Sequence, residues 1–332
     1  MTNPFSGTGY DLAAMTAAVN KLPNLYNRTA SIFSPEGITT TTLLVEQKDG
    51  TLSIIASRPR GAAPDKSKAD KRSLRSFVIP HIPIEDVLLP EDYQNVRAFG
   101  TENGLETAAN IMANKLQRMK NAIDQTREHL RIGALKGNIL DADASTLYDL
   151  YTEFGITAKT VDFALDDEDT DVRGKCAEVI RHIEDKLLGE SMTGVRVLVS
   201  ASFYDDLVAH PKVEKAYQYY MANNINLAGD YRLAFPFGGL VFEEYRGTWT
   251  DKDGTARAGI TAGEGHAFPE GTGNTFREVF APGNFIETAN TVGLPYYARQ
   301  EPRKYNAGVD LWVESNPLPI CKRPEVLVKV TA

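Results

Sequence analysis

The sequence predicts an α+β fold, and three observations support this class. Helical and strand patterns are mixed along the chain without the regular strand–helix–strand alternation of a doubly wound fold. One apolar pattern with helical spacing runs from Leu105 to Leu130, which is longer than an ordinary globular helix. Ahead of it, residues 38–55 have the composition of a β-hairpin. Together these patterns predict a mixed body with one protruding ribbon and one long helix.

Size and composition are those of an ordinary globular protein. The 332 residues suffice for a sizeable core and predict two or more compact regions. The net charge of −8 argues against a surface that wraps nucleic acid, because phosphate binding needs concentrated lysine and arginine. Two widely separated cysteines, Cys176 and Cys321, and an N-terminus without an export signal predict a reducing compartment. No run approaches the roughly 18 apolar residues of a membrane span, so no membrane contact is expected.

The first elements are an arm and a hairpin. Residues 1–36 are predicted to form the arm, since polar residues, glycine and proline alternate there with short apolar clusters. Residues 38–48 are rich in β-branched side chains, Asp49-Gly50 supplies a two-residue turn, and residues 51–55 return. No neighbouring element is predicted to pack on this hairpin.

The hairpin register places apolar side chains on both of its faces. Val45 is predicted to lie opposite Ile54, and Leu44 opposite Ile55. A lone two-stranded hairpin is only marginally stable in water. We therefore expect another surface to complete this ribbon, and a second copy of the chain is one candidate.

A positively charged segment follows the hairpin. From Arg58 to Arg75 the chain has seven basic residues against two aspartates, with proline and glycine between them, which predicts a flexible loop. Nucleic-acid contact, docking onto an acidic neighbour and simple solvation all remain open. The segment lacks the interleaved aromatic residues of single-strand binders. Extended structure resumes at residues 77–84, where prolines favour an edge strand.

A long amphipathic helix is predicted from Leu105 to Leu135, about 31 residues and about 46 Å in length. Its apolar residues follow spacings of three, four and seven. We expect it to lie across a surface as a strut, because its opposite face carries the charged residues Lys115, Arg118, Lys120, Asp124, Arg127 and Glu128.

An acidic segment, Asp162–Asp171, contains six carboxylates and precedes a second helix. The apolar stripe of that helix runs from Val172 to Leu187. The elements expected beyond it are a buried strand at 195–200, helices at 202–209 and 212–222, a strand-rich region from Tyr231 with a turn at Asp253-Gly254, and two C-terminal strands flanking residues 316–319.

The sequence contains no motif that predicts catalysis or metal binding. The five histidines form no ligand-spaced pair, and no nucleophile elbow or phosphate-binding glycine motif occurs. The acidic run from Asp167 imitates a calcium loop in part, but Val172 stands where such a loop requires glycine. We interpret these carboxylates as residues that cap a helix and oppose its dipole. An enzyme whose site combines Asp141, Asp143 and the 166–171 cluster remains an outside alternative.

Several groups of residues resemble one protein family. They are Val45–Leu52 with Arg58–Gly61 behind it, Asp141–Tyr148 and Ser315–Pro324. Occurring together, in this order and over nearly the whole chain, they resemble the major capsid proteins of tailed bacteriophages related to the lambda head protein. None of these motifs carries catalysis, so the resemblance implies a structural protein with no catalytic residue, cofactor or metal.

The resemblance implies the Hong Kong 97-like capsid fold and gives names to the segments. They are an N-terminal arm at 1–36, an extended loop at 37–84, a peripheral domain at 85–151 with a spine helix at 104–136, an axial domain at 152–306, and C-terminal strands at 307–332 that return to the peripheral domain.

The implied function is self-assembly through pentamers and hexamers into an icosahedral shell that encloses double-stranded DNA. The implied location is the virion, after assembly in the host cytoplasm. The implied partners are other copies of the chain, a scaffolding protein, a portal, in some cases a decoration protein, and packaged DNA that is contacted weakly and without sequence specificity. A tail or baseplate component is the alternative.

The residues expected to contact a neighbouring copy come from the hairpin, the basic segment and the acidic run. They are Leu43, Val45, Asp49, Gly50, Leu52, Ile54, Arg58, Arg60, Lys66, Lys68, Lys71, Arg72, Asp166, Asp167, Glu168 and Asp169.

Overall fold

The computed structural model shows two compact units, each built from three separate stretches of sequence. The residues that it describes are 11–22, 28–49, 71–92, 94, 107–223, 231–250 and 254–332. Unit 1 comprises Met1–Leu43, Phe77–Arg131 and Arg277–Ile320, and unit 2 comprises Leu44–Ser76, Ile132–Phe276 and Cys321–Ala332.

Helices and strands alternate irregularly along the described residues, which confirms the α+β class. The helices are α1 (Leu12–Lys21), α2 (Ala108–Lys136), α3 (Leu150–Phe154), α4 (Val172–Leu187), α5 (Ala201–Ala209) and α6 (Pro211–Asn223). The strands are β1 (Ser34–Gly37), β2 (Thr42–Asp49), β3 (Lys71–Val78), β4 (Ile82–Leu88), β5 (Asn138–Leu140), β6 (Thr146–Asp149), β7 (Lys159–Asp162), β8 (Gly194–Val199), β9 (Phe235–Phe237), β10 (Leu240–Glu244), β11 (Thr248–Thr250), β12 (Ala256–Ala258), β13 (Glu264–Glu270), β14 (Phe276–Phe280), β15 (Tyr297–Pro302), β16 (Val309–Ser315), β17 (Pro317–Cys321) and β18 (Val328–Thr331).

The long helix is confirmed as α2, with 29 residues and a length of about 44 Å. It begins later than the predicted position 104, because the hydroxyl of Thr107 accepts a hydrogen bond from the Asn110 N–H at 3.2 Å and so caps the helix there. Its apolar stripe is buried as the spacing predicted, at Met112, Leu116, Met119, Ile123 and Leu130.

The core of unit 1 lies between two helices and an antiparallel sheet of order β15-β16-β4. Met15 and Val19 of α1 and the apolar stripe of α2 pack with Leu311 and Val313 of β16. Burial of side chains of this size stabilises a fold by about 1.5–3 kcal/mol each. Strand β4 carries Pro83 and lies at the sheet edge, which is the position where a strand tolerates proline.

A second sheet of unit 1, of order β1-β14-β17, corrects one prediction. Residues 316–319 were expected to lie between two C-terminal strands, but Pro317–Cys321 is itself the buried strand β17. The prolines are compatible with this strand because β17 is at the edge of its sheet and needs fewer backbone donors. Strand β1 is parallel to β14 on the other side of the sheet.

Unit 2 is built around a six-stranded mixed sheet of order β7-β18-β13-β8-β10-β9. Strand β8 pairs with β10 in parallel and with β13 in antiparallel fashion. Phe163, Phe203 of α5 and Phe242 of β10 form an aromatic cluster with ring centroids 5.8–6.5 Å apart. The predicted stripe of α4 is buried, and the helix ends as predicted, with Leu188 and Gly189 in the left-handed conformation.

Cys176 and Cys321 are both buried free thiols. Burial raises the pKa of each thiol to about 12, so neither is a reactive thiolate at neutral pH. In the parts of the chain that the structure describes, no helix combines the length and the apolar character needed to cross a membrane.

Candidate assembly surface

The ribbon is the two-stranded sheet formed by β2 and β3. Sequence reasoning paired β2 with residues 51–55, directly after the Asp49-Gly50 turn. In the structure the paired strand is Lys71–Val78, so the return comes later in the chain than predicted, while residues 51–55 lie outside the described residues. A longer connection is physically acceptable, because loop-closure entropy grows only slowly with loop length.

Burial alternates along the ribbon, as expected when successive side chains of a strand point to opposite faces. Leu43 and Val45, both predicted contact residues, are buried within the chain. Leu44 is 59% exposed and Leu74 is 65% exposed. These two leucines were not among the predicted contact residues, although the alternation of side chains in β2 would have selected Leu44. The ribbon therefore presents apolar groups to solvent at Leu44 and Leu74.

Within unit 2, Arg75 of β3 attaches the base of the ribbon to helix α3. The Arg75 guanidinium donates hydrogen bonds to the backbone carbonyls of Glu153 at 2.6 Å and Phe154 at 3.4 Å. It also lies over the Phe154 ring at 4.8 Å from the centroid, a cation–π distance. Helix α3, which contains both partners, is itself capped by the Asp149 carboxylate. The expectation that nothing in the chain packs beside the ribbon is therefore wrong at its base.

Most of the predicted basic contact residues cannot be placed. Asp49 is the last residue of β2, and Lys71 and Arg72 are the first two residues of β3. The predicted residues outside the described part of the chain are Gly50, Leu52, Ile54, Arg58, Arg60, Lys66 and Lys68.

The acidic run Asp166–Asp169 forms an exposed loop of unit 2 that is held by its backbone. The His210 Nδ1 accepts the Lys212 N–H, which leaves the Nε2 proton to donate to the Asp167 carbonyl at 3.1 Å. Lys212 Nζ donates to the Asp169 carbonyl. All four residues of the loop are exposed, and the Asp167 carboxylate accepts a hydrogen bond from the Asp169 N–H at 3.0 Å. Predicted capping is wrong at Asp171, whose side chain makes no bond to the start of α4.

The charged face of α2 is buried, which corrects the prediction of a helix with one charged outer face. Of the residues assigned to that face, Arg118 is exposed, whereas Lys120, Asp124, Arg127 and Glu128 are inside unit 1. The Lys120 ammonium donates to the Leu22 carbonyl at 2.6 Å. Burial lowers the pKa of Lys120 despite the nearby Asp124 carboxylate.

A carboxylate on β14 organises this buried cluster. The Arg127 guanidinium donates two hydrogen bonds to Glu278, both 2.9 Å long, and Arg131 donates a third at 2.7 Å. Burial alone would raise the pKa of Glu278, but the two arginines outweigh burial and hold its pKa below the usual range. Glu128 accepts hydrogen bonds from the Thr29 N–H at 3.1 Å and hydroxyl at 2.8 Å. The cluster thus joins the N-terminal segment, α2 and β14 within unit 1.

A pocket of about 750 Å³ opens in unit 1 beside the start of β2. His81 is one of its lining residues, and its Nδ1 is 2.7 Å from the Asn316 Oδ1. The described residues that line it include none of the predicted contact residues; they are Thr39, Thr40, Thr41, Ile79, His81, Ala281, Pro282, Gly283, Asn284, Phe285, Ile286, Ala289, Asn290 and Asn316.

Comparison with known proteins gives a consistent result along the whole chain. Residues 11–332 match the family described as phage major capsid protein E. The chain is 31% identical to the major capsid protein of Salmonella phage Felix O1 over 97% of this chain and 96% of that protein. It is 28% identical to the major capsid protein of Pseudomonas phage KPP10 over 98% of each chain.

Solved structures show the same fold. The mature capsid of bacteriophage PhiM1 is similar with a TM-score of 0.52 and 15% identity, over 93% of this chain and 87% of that chain. A phage-related protein from Bordetella bronchiseptica is similar with a TM-score of 0.55 and 9% identity, over 97% of each chain.

Proposed function

This chain belongs to the phage major capsid protein E family and is a major capsid protein that forms the shell of a phage particle, and we propose that the ribbon joins neighbouring copies in that shell. The Hong Kong 97-like fold implied by the sequence is confirmed, and the protein is a structural component of the virion that associates with itself. The family match favours a shell over a tail or baseplate component.

The observation that carries this proposal is the exposure of Leu44 and Leu74 on the ribbon. A lone chain leaves these two large apolar side chains in water, and a two-stranded sheet offers no second layer to cover them. Covering a leucine contributes about 1.5–3 kcal/mol. The ribbon of one copy lies on the surface of the next, where both leucines become buried and the exposed backbone edges of β2 and β3 gain partners.

Opposite local charges orient this contact. Residues Asp166–Asp169 are exposed, in a loop whose carbonyl groups accept hydrogen bonds from His210 and Lys212. The basic segment between Arg58 and Arg72 of a neighbouring copy supplies the complementary charge. Such exposed pairs set register and the rate of encounter more than affinity.

The finer details of the proposed assembly are those that the family resemblance implies. Copies associate as pentamers and hexamers, close into an icosahedral shell, and enclose double-stranded DNA that they contact weakly. A scaffolding protein, a portal and a decoration protein take part, and assembly occurs in the host cytoplasm. The segments take the names given by the resemblance, from the arm at 1–36 to the C-terminal strands at 307–332, with the spine helix at Ala108–Lys136. The chain has no catalytic role.

The experiment that tests the ribbon contact is Leu44→Asp, compared with Leu188→Asp as a control. Leu188 is 52% exposed at the end of α4 and has no assigned contact. Both variants should remain folded and soluble, because neither leucine is in a core. Leu44→Asp should give no closed particles by electron microscopy and sedimentation, whereas Leu188→Asp should give normal ones. Normal particles from Leu44→Asp contradict the proposal.

A further inference from the structure

The turn between β15 and β16 presents a single aromatic side chain to solvent. The strands close at the pair Pro302 and Val309. Tyr305 and Asn306 in the turn have φ angles of 63° and 55°, so two consecutive residues other than glycine adopt the left-handed conformation. The side chain of Tyr305 is 100% exposed.

The turn is fixed in place on unit 1. The Arg303 N–H donates to the Gly308 carbonyl at 2.9 Å, and the Arg303 carbonyl accepts the Asn306 N–H at 3.1 Å. The Arg303 side chain is bound to the Asp310 carboxylate at 2.6 Å. Gly308 lies so close to the Leu88 carbonyl that a Cβ atom would be 2.8 Å from it. Tyr305 is therefore held outward by an ordered backbone.

This arrangement is unfavourable for an isolated molecule. A left-handed conformation is rarely adopted by a bulky residue, and glycine or asparagine would fit the turn without that cost. The ring also leaves its whole apolar surface in water. A tyrosine is well suited to serve as an anchor at a protein interface, because it has a large contact area and only two side-chain torsions to order.

We propose that Tyr305 is an anchor that inserts into a second copy of this chain when the shell forms, an inference that rests on the proposed function. The chain is a shell protein whose principal partner is another copy of itself, and the exposed Lys304 beside the ring suits a partner with a net charge of −8. A projecting turn and the surface that receives it are different patches, and such a heterologous contact can generate closed rings. Double-stranded DNA fits less well, because its bases are stacked inside the duplex and cannot pair with one projecting ring.

The test compares Tyr305→Gly and Tyr305→Phe with the control Leu188→Gly, all in the full chain. Leu188 also has a positive φ, of 50°, and is also exposed, so its replacement by glycine relieves comparable strain. Tyr305→Gly should keep the Tm of the unassembled protein within about 3 °C of wild type and lower the yield of closed particles at least about tenfold. Tyr305→Phe and Leu188→Gly should assemble like the wild type.

Particles at the wild-type yield from Tyr305→Gly, or an equal loss from Leu188→Gly, overturn the inference. If the wild-type chain itself forms no particles with its scaffold, the proposed function fails instead. A photoreactive benzoylphenylalanine at position 305 gives a second measurement that does not depend on stability. Irradiated particles should contain covalent dimers of the chain, and links confined to DNA or to the same chain overturn the inference.

Discussion

Arg127 of α2 and Glu278 of β14 are joined by two parallel hydrogen bonds, each 2.9 Å long, inside unit 1. Arg131 binds the same carboxylate at 2.7 Å. Two arginines thus bind one buried carboxylate, while Asp124 lies 3.7 Å from Arg127 and Glu128 lies 3.5 Å from Arg131. The helix that the sequence predicted to be an exposed strut is therefore bound on its charged side to a strand far along the chain. Glu278 binds both arginines and so joins α2 to β14.

Glu278→Gln should strongly destabilise the unassembled protein. The glutamine keeps the shape of the side chain but removes the charge that Arg127 and Arg131 share, so Asp124 at 3.7 Å and Glu128 at 3.5 Å are their remaining carboxylate partners. Removing one partner of a buried ion pair costs about 3–5 kcal/mol. Urea unfolding at neutral pH measures the loss. Glu287→Gln is the matched control, since Glu287 pairs with Arg299 at 3.3 Å where both side chains are about half exposed. The control should change the free energy of unfolding by less than about 1 kcal/mol, and equal effects of the two variants would contradict the role of Glu278.

His266→Gln should make the free energy of unfolding fall less steeply as the pH decreases. Burial first, and then the charges of Lys136 and Lys329, lower the pKa of His266 from 6.5 to about 3 in the folded chain. The unfolded chain therefore binds a proton between these pH values while the folded chain does not. The contribution of His266 is fully present above pH 6.5 and is lost as the pH falls toward 3, with a slope of about 1.4 kcal/mol per pH unit.

Urea unfolding of the unassembled protein across this pH range measures that slope. Between pH 6.5 and 3 the slope for the variant should be smaller than that of the wild type by about 1.4 kcal/mol per pH unit, the contribution of one proton. Above about pH 7.5 the two plots of unfolding free energy against pH should be parallel. Parallel curves throughout the acid range would show that His266 does not titrate in this way.

Gly293→Ala should disrupt unit 1 just after the end of β1. The Gly293 N–H donates to the Ile38 carbonyl at 2.9 Å, and a Cβ atom at Gly293 would be 2.0 Å from the Phe280 carbonyl oxygen. The backbone must shift to accept a methyl group, so we expect a loss of about 3 kcal/mol or more in the free energy of unfolding. Gly273→Ala is the control, because its Cβ would find its nearest neighbour at 3.8 Å. The prediction fails if thermal unfolding shows the same Tm for both variants.

Local sequence patterns predicted most helices and strands. The errors arose where a side chain binds a partner that is far away along the chain. The apolar stripes of α2 and α4 follow from periodicity alone, since a helix aligns residues three and four apart. The charged residues of α2 were assigned to an outer face because their partners, Thr29 and Glu278, lie 99 and 151 positions away from Glu128 and Arg127. No pattern within a helix reveals a partner at that separation.

The ribbon shows the same limit at shorter range. The Asp49-Gly50 turn favoured the nearest returning strand, whereas β2 pairs with β3. The exposed side of the ribbon could have been predicted from the sequence. Successive side chains of a strand point to opposite faces, so Leu44 lies on the face opposite to Leu43 and Val45. Tyr305 gave no signal, since neither its backbone conformation nor its exposure can be inferred from the surrounding residues.

The most direct test of the central claim is a high-resolution electron cryomicroscopy map of particles formed by the unmodified chain. We expect closed shells in which Leu44 and Leu74 of each ribbon are buried against a neighbouring copy. A protein that remains monomeric at high concentration, or shells in which each ribbon contacts only its own chain, would contradict the account.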